Sequence, residues 1–140
     1  MKSTRTKALI IVFVSILSIG ISKSIVGGPR EIDPEDPQVL DAAKHGVMLL
    51  NQKLDGTKAM VLNHVVKATT QVVAGIKYNL IVEVAESDCP NRKGLVPEDN
   101  QCRPQDGTPK TTYELQIWWQ SWRTPAYQLM GQELLSSGES

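Results

Sequence analysis

Gln71-Val72-Val73-Ala74-Gly75 lies between two runs of strand-like sequence. Val61-Leu62-Asn63-His64-Val65-Val66-Lys67-Ala68-Thr69-Thr70 precedes it, and Ile76-Lys77-Tyr78-Asn79-Leu80-Ile81-Val82-Glu83-Val84 follows. Two β-rich runs joined by a short segment with a glycine near its end read as a hairpin. The chemistry of the turn is unusual, because exposed tips draw on Asn, Asp, Ser and Pro. Here two valines and an alanine stand with no charge among them. Small apolar residues at a solvent-facing tip mark a surface made to be covered by something else. The other reading is a buried strand that runs on through these five residues, and the stretch alone does not separate the two.

Outward from this hairpin the same period continues. Tyr78, Leu80, Val82 and Val84 alternate with Lys77, Asn79, Ile81 and Glu83. Further on, Tyr113, Leu115, Ile117 and Trp119 alternate with Thr112, Glu114, Gln116 and Trp118. Period-two patterning with one apolar face predicts an antiparallel sheet covered on one side. The cover stands upstream. Asp36-Pro37 supplies a cap and a first-turn proline, and Val39, Ala43, Gly46 or Val47, Leu50 and Leu54 then fall at helical spacing. Asp41, Lys44, Gln52 and Lys53 take the other face, and Asp55-Gly56 supplies the stop. The expectation is one amphipathic helix of about five turns lying on the sheet.

Residues 86 to 110 read as a long polar loop tied down by its cysteines. Trp119-Gln120-Ser121-Trp122-Arg123-Thr124-Pro125 is a second turn, followed by a short last strand near Ala126 to Met130 and a loose polar tail from Ser136 to Ser140. Trp118 or Trp119, or both, should help cover the sheet. Trp122 falls at the turn itself, where an indole is a typical interface anchor. Helix then strands gives an α+β domain.

The chain has 140 residues and zero formal net charge, so no cationic footprint for nucleic acid is present. Lys2, Arg5 and Lys7 lead into the apolar run from Ala8 to Ile21, which reads as a secretory signal peptide. The run is short for a membrane anchor and no stop-transfer pattern follows. Cleavage is expected after Gly20, or as late as Ser24, leaving 21–140 as a single exported domain. Two cysteines in such a chain most simply make one disulfide, Cys89 to Cys102; a reactive cysteine is the sharper alternative, but neither has a histidine near it in sequence.

Catalysis finds no footing. His45 and His64 are not spaced with Cys, Asp or Glu as metal ligands would be, and no nucleophile with a base or phosphate-cradling loop is recognisable. No enzyme, metal or cofactor is expected. What remains is a set of three unusual exposed features: Ile25-Val26-Gly27-Gly28-Pro29, the Val72-Val73-Ala74 tip, and Trp122. The first reads either as a frayed terminus or as an apolar segment kept for contact. Alternating hairpins would bring both turns to one edge of the sheet, within reach of the N-terminal segment.

Gln71 to Gly75 resembles the Gln-x-Val-x-Gly first hairpin of the cystatins in full. Ile25-Val26-Gly27-Gly28 is similar to the family's N-terminal trunk, with Gly27 at its functional glycine, and Trp122 stands where the family places the tryptophan of its second hairpin. Order and spacing agree along the mature length. The resemblance implies a five-stranded antiparallel sheet wrapped around one long helix. It also implies a secreted, reversible, tight-binding inhibitor of papain-like cysteine proteases of the cathepsin type. The implied contact residues are Ile25, Val26, Gly27, Gln71, Val72, Val73, Ala74, Gly75, Ser121 and Trp122. A monomer is expected, with a domain-swapped dimer as a possible second form and no membrane partner. Two features depart from the pattern. Ser121 replaces a proline common in the family's second hairpin, and only the first of the two disulfides usual in secreted relatives is matched. Both favour the alternative, a non-inhibitory cystatin-fold binding or antimicrobial module. Asp55-Gly56 stands where some relatives carry an asparagine used against legumain, so that activity is not expected.

Overall fold

The computed structural model describes residues 28–93 and 102–138. The expected signal peptide and Ile25, Val26 and Gly27 lie outside the described residues. Within them the chain forms β1 (Arg30–Glu31), α1 (Pro37–Asn51), β2 (Lys58–Val72), β3 (Ile76–Pro90), β4 (Lys110–Trp119) and β5 (Tyr127–Ser137). The five strands make one sheet in sequential order β1-β2-β3-β4-β5, each pair antiparallel. The expected α+β fold, one helix on a five-stranded antiparallel sheet, is what the chain adopts.

The helix starts where Asp36 and Pro37 place it. The Asp36 carboxylate accepts from the Gln38 N–H at 2.8 Å, satisfying one of the donors a helix start leaves free. Val39, Ala42, Ala43, Val47 and Leu50 then pack on Val65, Ala68, Tyr78, Leu80, Val82, Val84, Leu115 and Ile117. Gly46 sits at the closest approach: a Cβ there would lie 2.5 Å from Ile117 Cδ1 and 3.2 Å from Leu115 Cδ1. Only a residue without a side chain lets the helix come so near β4.

Three bulges, between Lys58 and Met60, Leu62 and His64, and Val65 and Lys67, interrupt β2 against β3. Bulges bend and twist a strand, which suits a sheet that wraps a helix. In β5 the register also shifts twice, leaving Met130 and Leu135 as the extra residues. Both are exposed, and such irregularities blunt an edge strand against pairing with another chain.

Three boundaries differ from the sequence expectation. The helix ends at Asn51, about four turns from its start, and not at Asp55-Gly56. The Asn51 side chain is buried and turns to the sheet, donating to the Met60 carbonyl and accepting from the Met60 N–H, both at 2.9 Å. Asn91 donates to the Asn51 carbonyl at 3.0 Å. Tertiary bonds therefore end the helix before the local stop signal. The polar stretch from residue 86 is partly strand, because β3 runs to Pro90 and Ser87 bridges Pro104. Cys89 and Cys102 are disulfide-bonded. The last strand is longer than Ala126–Met130: it reaches Ser137, paired with Thr111, so Ser136 and Ser137 are not a loose tail.

A polar tie joins the helix to the start of β5. Tyr127 donates its hydroxyl to Asp41 Oδ2 at 2.7 Å, and the His45 ring stacks on Tyr127 with centroids 4.2 Å apart. Burial, then the hydrogen bond to Asp41, raises the Tyr127 phenol well above its ordinary range. Burial first, then the charges of Asp36 and Asp41, also raises Tyr78.

Two predictions follow from these contacts. Asn51→Ala leaves the Met60 donor and acceptor without their partner and should cost about 2 kcal/mol, read as a lowered urea midpoint at unchanged slope. Both phenols favour the neutral form in the fold, so their stabilisation is complete below the ordinary value of 10.0 and is lost as pH rises past it. Unfolding free energy should hold up to about pH 10 and fall as pH rises above it, and Tyr127→Phe should flatten that decline.

Candidate functional site

The pairing of four strands brings the two turns together. Val72 stands opposite Ile76, Ile76 opposite Trp119, and Trp119 opposite Tyr127. Both hairpins therefore close at the same end of the sheet. β1 adds the N-terminal segment. Arg30 pairs with Thr70 and Glu31 with Thr69, so the antiparallel direction leads Pro29 and Gly28 back towards Gln71 and Val72. Gly28 and Pro29 are exposed.

The first tip is short and held from below. Val73, Ala74 and Gly75 connect the last pair, Val72 and Ile76. Ala74 has φ 36° and Gly75 φ 111°, both in the left-handed region that favours glycine. A Cβ on Gly75 would collide with the Trp119 carbonyl oxygen, so at Gly75 both the dihedral and the close approach exclude a side chain. The Val73 N–H donates to the Gly75 carbonyl at 2.9 Å. Above this base Val72 is 79% exposed, which favours the tip reading over the buried strand. Val73 and Gln71 are half-buried, and Ala74 is exposed.

The second tip is a turn in which the Arg123 N–H donates to the Gln120 carbonyl at 3.0 Å, with the Gln120 N–H donating to the Ala126 carbonyl at 2.9 Å. Ser121 and Trp122 occupy its corner. Ser121 is exposed, and the Trp122 indole is 63% exposed. The two neighbouring tryptophans have other tasks. Trp119 packs against the helix-side core. Trp118 lies on the other face and donates its indole N–H to the Val73 carbonyl at 3.3 Å. Gln120, buried, donates from Nε2 to the Ala74 carbonyl at 3.2 Å. Sequence reading missed Gln120; its only signal was a polar residue immediately before a turn, which is ordinary.

Of the residues singled out in the sequence, Gln71, Val72, Val73, Ala74, Gly75, Ser121 and Trp122 share one end of the molecule. Cys89 and Cys102 are at the other, near the start of β2, where Pro90 pairs with Lys58. His45 and His64 are occupied by Asp41 and Glu83 respectively. Among the described residues no group of three or more His, Cys, Asp or Glu is placed to hold a metal ion, and no helix is long and apolar enough to cross a membrane. What this end offers is apolar surface on short supports, a shape for contact.

Residues 27–117 match the profile of the Cystatin domain. The chain is 35% identical over 118 residues to Cystatin cpi-1 of Caenorhabditis elegans, covering 81% of this chain and 83% of that protein. It is 28% identical over 98 residues to onchocystatin of Onchocerca volvulus, covering 70% of this chain and 60% of the relative's length. It thus spans about three fifths of that relative. Its fold is similar to that of dimeric human cystatin F, with a TM-score of 0.71 at 21% identity, covering 88% of this chain and 98% of the other. With the matching profile spanning both the hairpin at Gln71–Gly75 and the helix that backs it, this chain belongs to the cystatin family.

Proposed function

We propose that this protein is a secreted, reversible, tight-binding inhibitor of papain-like cysteine proteases. The observation that carries the proposal is the meeting of Val72 and Trp122, both exposed, at the end to which β1 leads the N-terminal segment. A protease of this class presents a cleft with a thiolate on one wall and a histidine on the other. A wedge made of two rigid tips fills such a cleft without laying a peptide bond over the sulfur, so nothing is cut. Its affinity comes from burying apolar surface that is already ordered, which keeps the entropic cost of binding small.

The roles divide along the wedge. Gln71 to Gly75 and the pair Ser121-Trp122 supply general affinity. Ile25 and Val26 enter the non-primed subsites and set selectivity, and Gly27 lets the chain turn away. The signal peptide, removed after Gly20 or as late as Ser24, and the disulfide fit an extracellular site of action. Proteases of cathepsin type are the partners, met by a monomer.

Titration of papain with the refolded mature protein tests this directly. Activity should fall linearly to near zero at one equivalent. No loss at stoichiometric amounts overturns the inhibitory reading and favours a non-inhibitory module, for which Ser121 in place of proline is the feature to pursue. Trp122→Ala should weaken inhibition by about 2 kcal/mol, whereas a change below about 0.5 kcal/mol would remove the indole from the contact. Cleaving off residues up to Val26 should change the ranking of inhibition constants across several cathepsins. An unchanged ranking would refute the selectivity role.

A further inference from the structure

We propose that Gln120 is a positioning residue for the first hairpin: its buried amide holds the Ala74 carbonyl and makes the two tips one mechanical unit. The inference deepens the inhibitory reading and rests on it. The backbone of Gln120 is the base of the second turn, bonded to Ala126 and Arg123. Its side chain reaches back beneath the first turn, where Nε2 donates to the Ala74 carbonyl at 3.2 Å and Cγ lies 3.0 Å from where a Gly75 Cβ would stand. One residue therefore belongs to both tips.

The contact lies where the backbone needs it. Ala74 is a non-glycine residue at φ 36°, a conformation that persists only when its surroundings over-determine it. Trp118 and Gln120 hold two consecutive carbonyls, those of Val73 and Ala74, and so bracket the strained residue. The amide is also half used. Gln120 is 5% exposed, and its Oε1 is buried with no hydrogen-bond partner among the described residues. If packing were the residue's only task, an apolar side chain of the same length would serve as well without burying an acceptor that no group among the described residues meets. The donor to Ala74 is what distinguishes glutamine from such a replacement.

The test sets stability against loop order and inhibition. Gln120→Met keeps the length and removes both the donor and the unmet acceptor. The urea midpoint should hold or rise, amide hydrogen exchange at Val73 to Gly75 should quicken, and papain inhibition should weaken by about tenfold, the scale of one lost hydrogen bond. Trp118→Phe, which removes the indole donor to Val73 and keeps an aromatic ring, should act in the same sense. A lowered midpoint with inhibition lost in proportion makes Gln120 a packing residue and overturns the proposal, as does unchanged exchange at Val73 to Gly75. Faster exchange with undiminished inhibition by the variant overturns its relevance to binding. Failure of the unsubstituted protein to inhibit papain instead defeats the inhibitory reading, while the exchange measurement still decides whether Gln120 orders the tip.

Discussion

A single row of paired residues, Val72 with Ile76, Ile76 with Trp119 and Trp119 with Tyr127, fixes where everything else at the wedge end can be. That row is not free to slide. Leu80, Val82, Val84, Leu115 and Ile117 are wholly buried on the helix-facing side, and a slip of one residue would turn such a set outward. The core thus sets the register, and the register closes both hairpins at one end. The binding surface proposed for the cystatin wedge is in this sense a consequence of helix-on-sheet packing, whose closest point is Gly46 against Ile117.

The two tips meet solvent differently. The first carries its exposed apolar surface at Val72, on a turn in which Ala74 and Gly75 both have positive φ. The second presents Trp122 from a turn closed by ordinary backbone bonds. Between them runs a layer of side-chain and backbone contacts: Trp118 to Val73, Gln120 to Ala74, and Gly75 against the Trp119 carbonyl. Exposed apolar area contributes little to folding, but it contributes to association when its geometry is already set. The layer beneath the tips is what sets it.

Much of this was legible in the chain because it is encoded by local period. Alternation from Tyr78 to Val84 gave the buried face of β3, Asp36-Pro37 gave the helix start, and the two cysteines gave the disulfide. The features that escaped depend on partners distant in sequence. Asn51 ends the helix through Met60, so the stop at Asp55-Gly56 was never reached. The end of β5 is polar, with Ser136 and Ser137, and is strand because Thr111 and Thr112 pair with it, for which the side chains give no sign. The alternation left open whether Trp118, Trp119 or both would cover the sheet; Trp119 does, and nothing in the pattern showed that Trp118 would bond the Val73 carbonyl. Gln120 is the sharpest case: its identity matters through Ala74, 46 residues earlier.

The same separation explains how a cystatin with one disulfide can keep an ordered wedge. A cross-link stabilises largely by restricting the unfolded chain, wherever in the fold it stands. Cys89–Cys102 can therefore lie at the opposite end from the hairpins and still support the domain as a whole. It cannot restrain Trp122. Restraint at that end has to be local, and it is non-covalent: the Tyr127 hydroxyl on Asp41 at 2.7 Å, His45 stacked over the same ring, and the Gln120 backbone closing the turn on both sides. Ser121 lacks the preset φ that a proline would bring to that corner, so these contacts carry more of the burden of holding the indole in place. Global stability and local order of the wedge are thus assigned to different ends of the molecule and to different kinds of interaction.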